Sequence, residues 1–66
     1  MDFADKLRFV RDKLLMSQEM LAHELGISFG TCNRLENRKT EPSLPTRRSF
    51  MEFCDKRGIK FPDEVK

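Results

Sequence analysis

At 66 residues the chain has room for one domain around one small core. Its apolar residues are scattered, with no run approaching the ~18 needed for a membrane span, and the opening MDFADKLRF places acids ahead of any apolar stretch, unlike a secretory signal. The net charge of +2 says little about partners, and one histidine with two distant cysteines makes no metal motif and calls for no cofactor.

The first helix is expected from about Asp2 to Leu15. Asp2 suits the N-cap and adds favourable charge there. Phe3, Leu7, Val10 and Leu14 recur at helical spacing as one apolar stripe, and Arg11 lies at its edge. Lys6, Arg8 and Asp12 take the wet side, and Phe9 sits off the stripe, half exposed. Met16 then precedes Ser17 in the manner of a hydrophobic staple. Ser17 is the expected cap of a second helix opened by Gln18 and Glu19. Three positions after the cap stands Met20 in place of a carboxylate, so the capping box is incomplete. Leu21, Ala22 and Leu25 form the buried face of this helix, and His23 falls on its exposed side. Gly26 ends it, because glycine enters the left-handed conformation freely and turns the chain at once.

Ser28 caps a third helix expected over 29–36. With Cys32 and Leu35 turned to the core, the spacing leaves Phe29, Gly30, Asn33 and Arg34 outward and Thr31 at the margin. Gly30 costs about 1 kcal/mol against alanine in a helix interior. An exposed phenylalanine beside it is unusual for a plain surface. Bare backbone allows close approach of a partner, and an exposed aromatic edge offers it an apolar contact. The alternative is that Phe29 folds back onto the core. Asn37 tolerates the left-handed region and is the expected end of this helix. Ser43 caps a fourth helix with Pro45 in its first turn, where a missing N–H does no harm. Leu44, Phe50, Phe53 and Cys54 are its apolar face, with Met51 beside them. Gly58 stops it, and Ile59 folds back in a Schellman arrangement. Residues 59–66 read as a short tail after a domain at 1–58, with at most a turn over 62–65. Cys32 and Cys54 read as buried thiols of a cytoplasmic protein, a disulfide being the alternative.

Charge is unevenly distributed. Residues 28–48 carry Arg34, Arg38, Lys39, Arg47 and Arg48 against Glu36 and Glu41, whereas acids outnumber bases over 1–27. Positive charge therefore gathers on the third helix and the loop after it.

The stretch QEMLAHELGISFGTCNRLEN, with Ser17-Gln18, the small Ala22, the turn glycine Gly26, Leu35-Glu36-Asn37 and Glu41-Pro42-Ser43, resembles the helix-turn-helix of the Cro and phage-repressor (lambda-repressor-like) family. The resemblance implies an all-α bundle of four to five helices with a central helix-turn-helix, and binding to double-stranded DNA. It implies that the third helix enters the major groove, with Phe29, Gly30, Asn33 and Arg34 reading bases, while Gln18, Ser28, Thr31, Arg38 and Lys39 hold phosphates. It also implies contact between Arg11 and Glu36, an ion pair that would tie the first helix to the end of the third. Family members often place a glycine where this chain has Arg38, which changes the loop and adds charge. Such proteins are transcriptional regulators, most often repressors, found in the cytoplasm on the nucleoid. They usually bind palindromic operators as homodimers, through a fifth helix for which the tail here leaves little length. Two other readings remain at this point: a control protein of a restriction–modification or mobile-element system, and an antitoxin-like interaction module in which Phe9 and Phe61 meet a partner. An enzyme is not expected, since the chain lacks paired carboxylates in a cleft pattern and a glycine-rich phosphate loop.

Overall fold

A computed structural model describes residues 1–62. Among them are four α-helices and no strand: α1 (Phe3–Leu14), α2 (Gln18–Leu25), α3 (Phe29–Glu36) and α4 (Leu44–Lys56). No helix of these residues is long and apolar enough to cross a membrane.

Each helix begins the same way. Asp2, Ser17, Ser28 and Ser43 have extended backbones, and their side chains accept the amides of Asp5, Met20, Thr31 and Thr46. One otherwise unpaired N–H per helix is thereby satisfied. The helix ends also share one geometry. Leu15, Gly26, Arg38 and Gly58 take left-handed backbones with φ of 56°, 70°, 59° and 66°. The residue after each returns its N–H to the helix: Met16 to the Arg11 carbonyl, Ile27 to Ala22, Lys39 to Arg34 and Ile59 to Cys54. These are Schellman closures, and two of the four are made without glycine. A left-handed Leu15 costs about 1–2 kcal/mol of backbone strain relative to the right-handed region. At the end of α3, Asn37 is the C-cap as expected, but it is not left-handed: it stays at φ −93°, and Arg38 after it makes the left-handed turn.

The core joins Leu7 and Val10 of α1, Leu21, Ala22 and Leu25 of α2, Cys32 and Leu35 of α3, and Phe50, Phe53 and Cys54 of α4. α3 packs on α1 and α2, and α4 packs on α2. Ala22, 2% exposed, supplies the small side chain where α2 meets its partners. Cys32 and Cys54 are both buried free thiols.

Two further expectations are corrected. Leu44 is 62% exposed, and Thr46 is buried in its place. Thr46, Phe50, Phe53 and Cys54 follow helical spacing, whereas Leu44 lies on another side. The domain also does not stop at 58. Ile59 and Phe61 are buried in the core, and Phe61 packs against Phe9 and Phe50 with ring centroids 5.4 and 6.1 Å apart. Burying a phenylalanine contributes about 1.5–3 kcal/mol, so this stretch belongs to the folding unit. Phe9 and Phe61 meet each other, which removes the contacts on which the interaction-module reading rested. The turn expected over 62–65 lies, beyond Pro62, outside the described residues.

Candidate nucleic-acid interface

α3 has two sides of opposite character. Inward are Cys32 (0% exposed), Leu35 and Glu36. Outward are Phe29, 51% exposed, and the exposed Arg34, with Gly30 and Thr31 half-buried between them.

The inward side is fixed by an ion pair. Arg11 Nε donates to Glu36 Oε2 at 2.7 Å and its Nη2 donates to Oε1 at 2.9 Å, a bidentate contact between α1 and the last turn of α3. Arg11 Nη1 also donates to the Met16 carbonyl at 3.3 Å, which ties in the α1–α2 turn. The side chains are 24% and 2% exposed, so the carboxylate is nearly dry. The bond to Glu36 holds the Arg11 proton more tightly than usual. Arg8 stands further off, 3.7 Å from Glu36. Burial, helped by the Glu36 charge, pushes the neighbouring Cys32 thiol up to about 11, so it stays protonated at neutral pH.

On the outward side Gly30 leaves room beside Arg34, whose Nη1 lies 3.5 Å from where an alanine Cβ would stand. Arg34 Nη2 donates to Thr31 Oγ1 across one turn, at a long 3.4 Å. Ser28 Oγ accepts the Thr31 amide and donates to Thr31 Oγ1 at 2.9 Å. The Ser28 hydroxyl is thus occupied, while Thr31, accepting twice, keeps its own proton for an outside acceptor.

The remaining polar positions differ in how they are held. Asn33 is half-buried, and its Nδ2 donates to Gln18 Oε1 at 3.1 Å, linking α3 to the start of α2. Asn37 Nδ2 donates in turn to the Asn33 carbonyl at 2.9 Å and to Asn33 Oδ1 at 3.3 Å. Lys39 is exposed at the tip of the loop. Arg38 is not an unattached loop cation: its Nε and Nη2 donate to Asp2, and Nη2 donates to Asp5 at 2.7 Å. The Arg38 bond, with the Asp5 amide, holds the Asp2 carboxyl below the usual carboxylate range. Asp2 in return holds the Arg38 proton more tightly. This second contact between α1 and the end of α3 was missed in the sequence. No local pattern signals it, because Asp2 and Asp5 lie 36 and 33 positions away in the chain.

Cations elsewhere lie against the core aromatics. Lys6, Lys13, Arg47 and Arg57 sit over the rings of Phe61, Phe9, Phe3 and Phe53. They cover apolar surface. No group of three or more potential metal ligands occurs among the described residues.

Two helices meeting through a glycine turn, the second with a solvent-facing side, define a helix-turn-helix domain. A family model described as helix-turn-helix matches residues 7–56, and the chain belongs to that family, the Cro/C1-type, lambda-repressor-like DNA-binding domains. No curated protein and no solved structure matches the chain. The membership supports sequence-specific DNA binding by a regulator.

Proposed function

We propose that the protein is a repressor that lays α3 in the major groove of its operator and occludes a promoter. The carrying observation is the outward side of α3: Phe29, half exposed and outside the core cluster, next to Gly30 and Arg34. A helix that only filled a core would have alanine at position 30 and a polar residue at 29. Arg34 donates two hydrogen bonds to guanine O6 and N7, Phe29 contacts a thymine methyl, and Gly30 admits the groove edge to the backbone. Gln18, Thr31 and Lys39 grip phosphates on either side. Arg38 has Nε and Nη2 on Asp2 and Asp5, which leaves its Nη1 to reach a phosphate. A homodimer on a palindromic operator, in the cytoplasm on the nucleoid, completes the reading.

Selection of bound duplexes from a random pool tests it, followed by competition binding with every single-base change of the selected site. Arg34→Ala is expected to lose about 1–3 kcal/mol of discrimination at one base pair per half-site. Lys39→Ala is expected to weaken all duplexes alike and preserve their order. If Arg34→Ala acts uniformly while Lys39→Ala reorders the sites, reader and clamp have been interchanged. Symmetric recovered sites support the dimer; single half-sites reject it.

A further inference from the structure

We infer that Asn37, Asn33 and Gln18 form a directional chain of amides that orients Gln18 as a hydrogen-bond donor toward phosphate, so that Asn33 is a positioning residue and not a base reader. The direction follows from one fixed point. Asn37 Nδ2 lies 2.9 Å from the main-chain carbonyl oxygen of Asn33, and a carbonyl oxygen only accepts. That end of the Asn37 amide is therefore the NH2. The same nitrogen lies 3.3 Å from the Asn33 side chain, which must present its oxygen there. The NH2 of Asn33 is then turned toward α2, where its 3.1 Å partner on Gln18 must be the oxygen. Gln18 is left with its own NH2 at the end of the chain, and this group makes no hydrogen bond among the described residues.

The consequence for binding is physical. An unconstrained glutamine offers either end of its amide, and half of its orientations turn an oxygen to the phosphate oxygens. It also has several side-chain torsions to order on binding. The chain from Asn37 removes both losses before DNA arrives. Asn33, though on the outward half of α3, has its oxygen and one N–H engaged on the protein. The inference rests on the DNA-binding reading above, refines the role of position 33 within it, and assigns Gln18 to phosphate alone.

A double-mutant cycle tests it on the selected duplex and its single-base variants, with wild type, Gln18→Ala, Asn33→Ala and the double variant. Asn33→Ala keeps the fold, since alanine is the better helix former, and a thermal melt verifies this. It is expected to weaken every duplex by a common factor of about three- to tenfold, the effect of one well-oriented hydrogen bond. The double variant is expected to bind as Gln18→Ala does alone, because Asn33 acts through Gln18. Additive losses, or a change in site preference at one base pair with Asn33→Ala, overturn the inference and return Asn33 to base reading. If wild type retains no duplex from the pool, the DNA-binding reading itself falls and the role of the amide chain with it.

Discussion

Cys32, Leu35 and Glu36 share eight residues of α3 with Phe29, Gly30 and Arg34, yet the two groups are chosen by different requirements. The first group is buried and fully partnered: Glu36 holds both oxygens on Arg11, and Cys32 is dry. The second is exposed at Phe29 and Arg34, with the half-buried Gly30 between them weakening its own helix. One side of α3 therefore serves the stability of the domain, and the other trades stability for access. Substitutions on the two sides should therefore change different measurements.

The largest effect belongs inside. Arg11→Ala strands the dry carboxylate of Glu36, with only the more distant Arg8 nearby, and should destabilise by about 3 kcal/mol. In a domain of this size that lowers the thermal midpoint by more than about 10 °C. Arg8→Ala, removing a half-exposed neighbour, should change it little. Equal small shifts would show that the inward side is not organised by this pair.

Next comes a pH effect from the same side. The folded Cys32 thiol keeps its proton up to about 11, whereas its ordinary value is 9.0. Between those values the folded state binds more protons than the unfolded one, so its contribution is complete below pH 9 and is lost as pH rises toward 11. The loss amounts to about 2 kcal/mol. Denaturant melts from pH 8 to 11 should show this decline in wild type and a flatter profile in Cys32→Val. Parallel profiles would mean that some other group governs alkaline stability.

The smallest effect in stability belongs outside and has the opposite sign. Gly30→Ala should raise stability by about 1 kcal/mol, because the added methyl makes only ordinary contact with Arg34 and improves helix propensity. The same variant should bind its duplex more weakly, since the methyl stands where the groove edge must come close. A variant that is both more stable and equally tight in binding would erase the distinction between the two sides.

These contrasts were partly legible in the sequence. Caps and turns were readable because they are local: Ser17, Ser28 and Ser43 precede helical periodicity, and Gly26 and Gly58 follow it. The outward set on α3 followed once Cys32 and Leu35 were assigned inward, although which of its members touch DNA is not decided by exposure. Leu44 shows that apolar character without helical phase does not assign a residue to the core. Thr46 lies four residues before Phe50 and shares its side, whereas Leu44 lies six before and does not. Other features were not local at all. Asn37 and Arg38 are both admissible places for the left-handed residue after α3, and the choice of Arg38 goes with its bonds to carboxylates at Asp2 and Asp5 at a distant helix start. The bond from Asn33 to Gln18 depends on how α2 and α3 cross, which no spacing rule gives. Ile59 and Phe61 lie beyond the last helix, where there is no periodicity to assign them to the core.

The shared closure of the helices has a consequence for how this domain tolerates changes in length. Residues 15–17 join α1 to α2, and residues 26–28 join α2 to α3. Each connection consists of one left-handed residue, one apolar residue that folds back, and one capping serine: Leu15-Met16-Ser17 and Gly26-Ile27-Ser28. Every position in both is occupied by a necessary task, so neither has a spare residue to lose or a gap to fill. An insertion there would separate the terminator of one helix from the initiator of the next and rotate everything downstream. Between Arg38 and Ser43 the chain instead runs through exposed residues 39–41 and Pro42 before the cap. Insertions after Lys39 are therefore expected to be tolerated better than in the other two connections, and a reporter peptide or cleavage sequence placed there is expected to leave α2 and α3 in place.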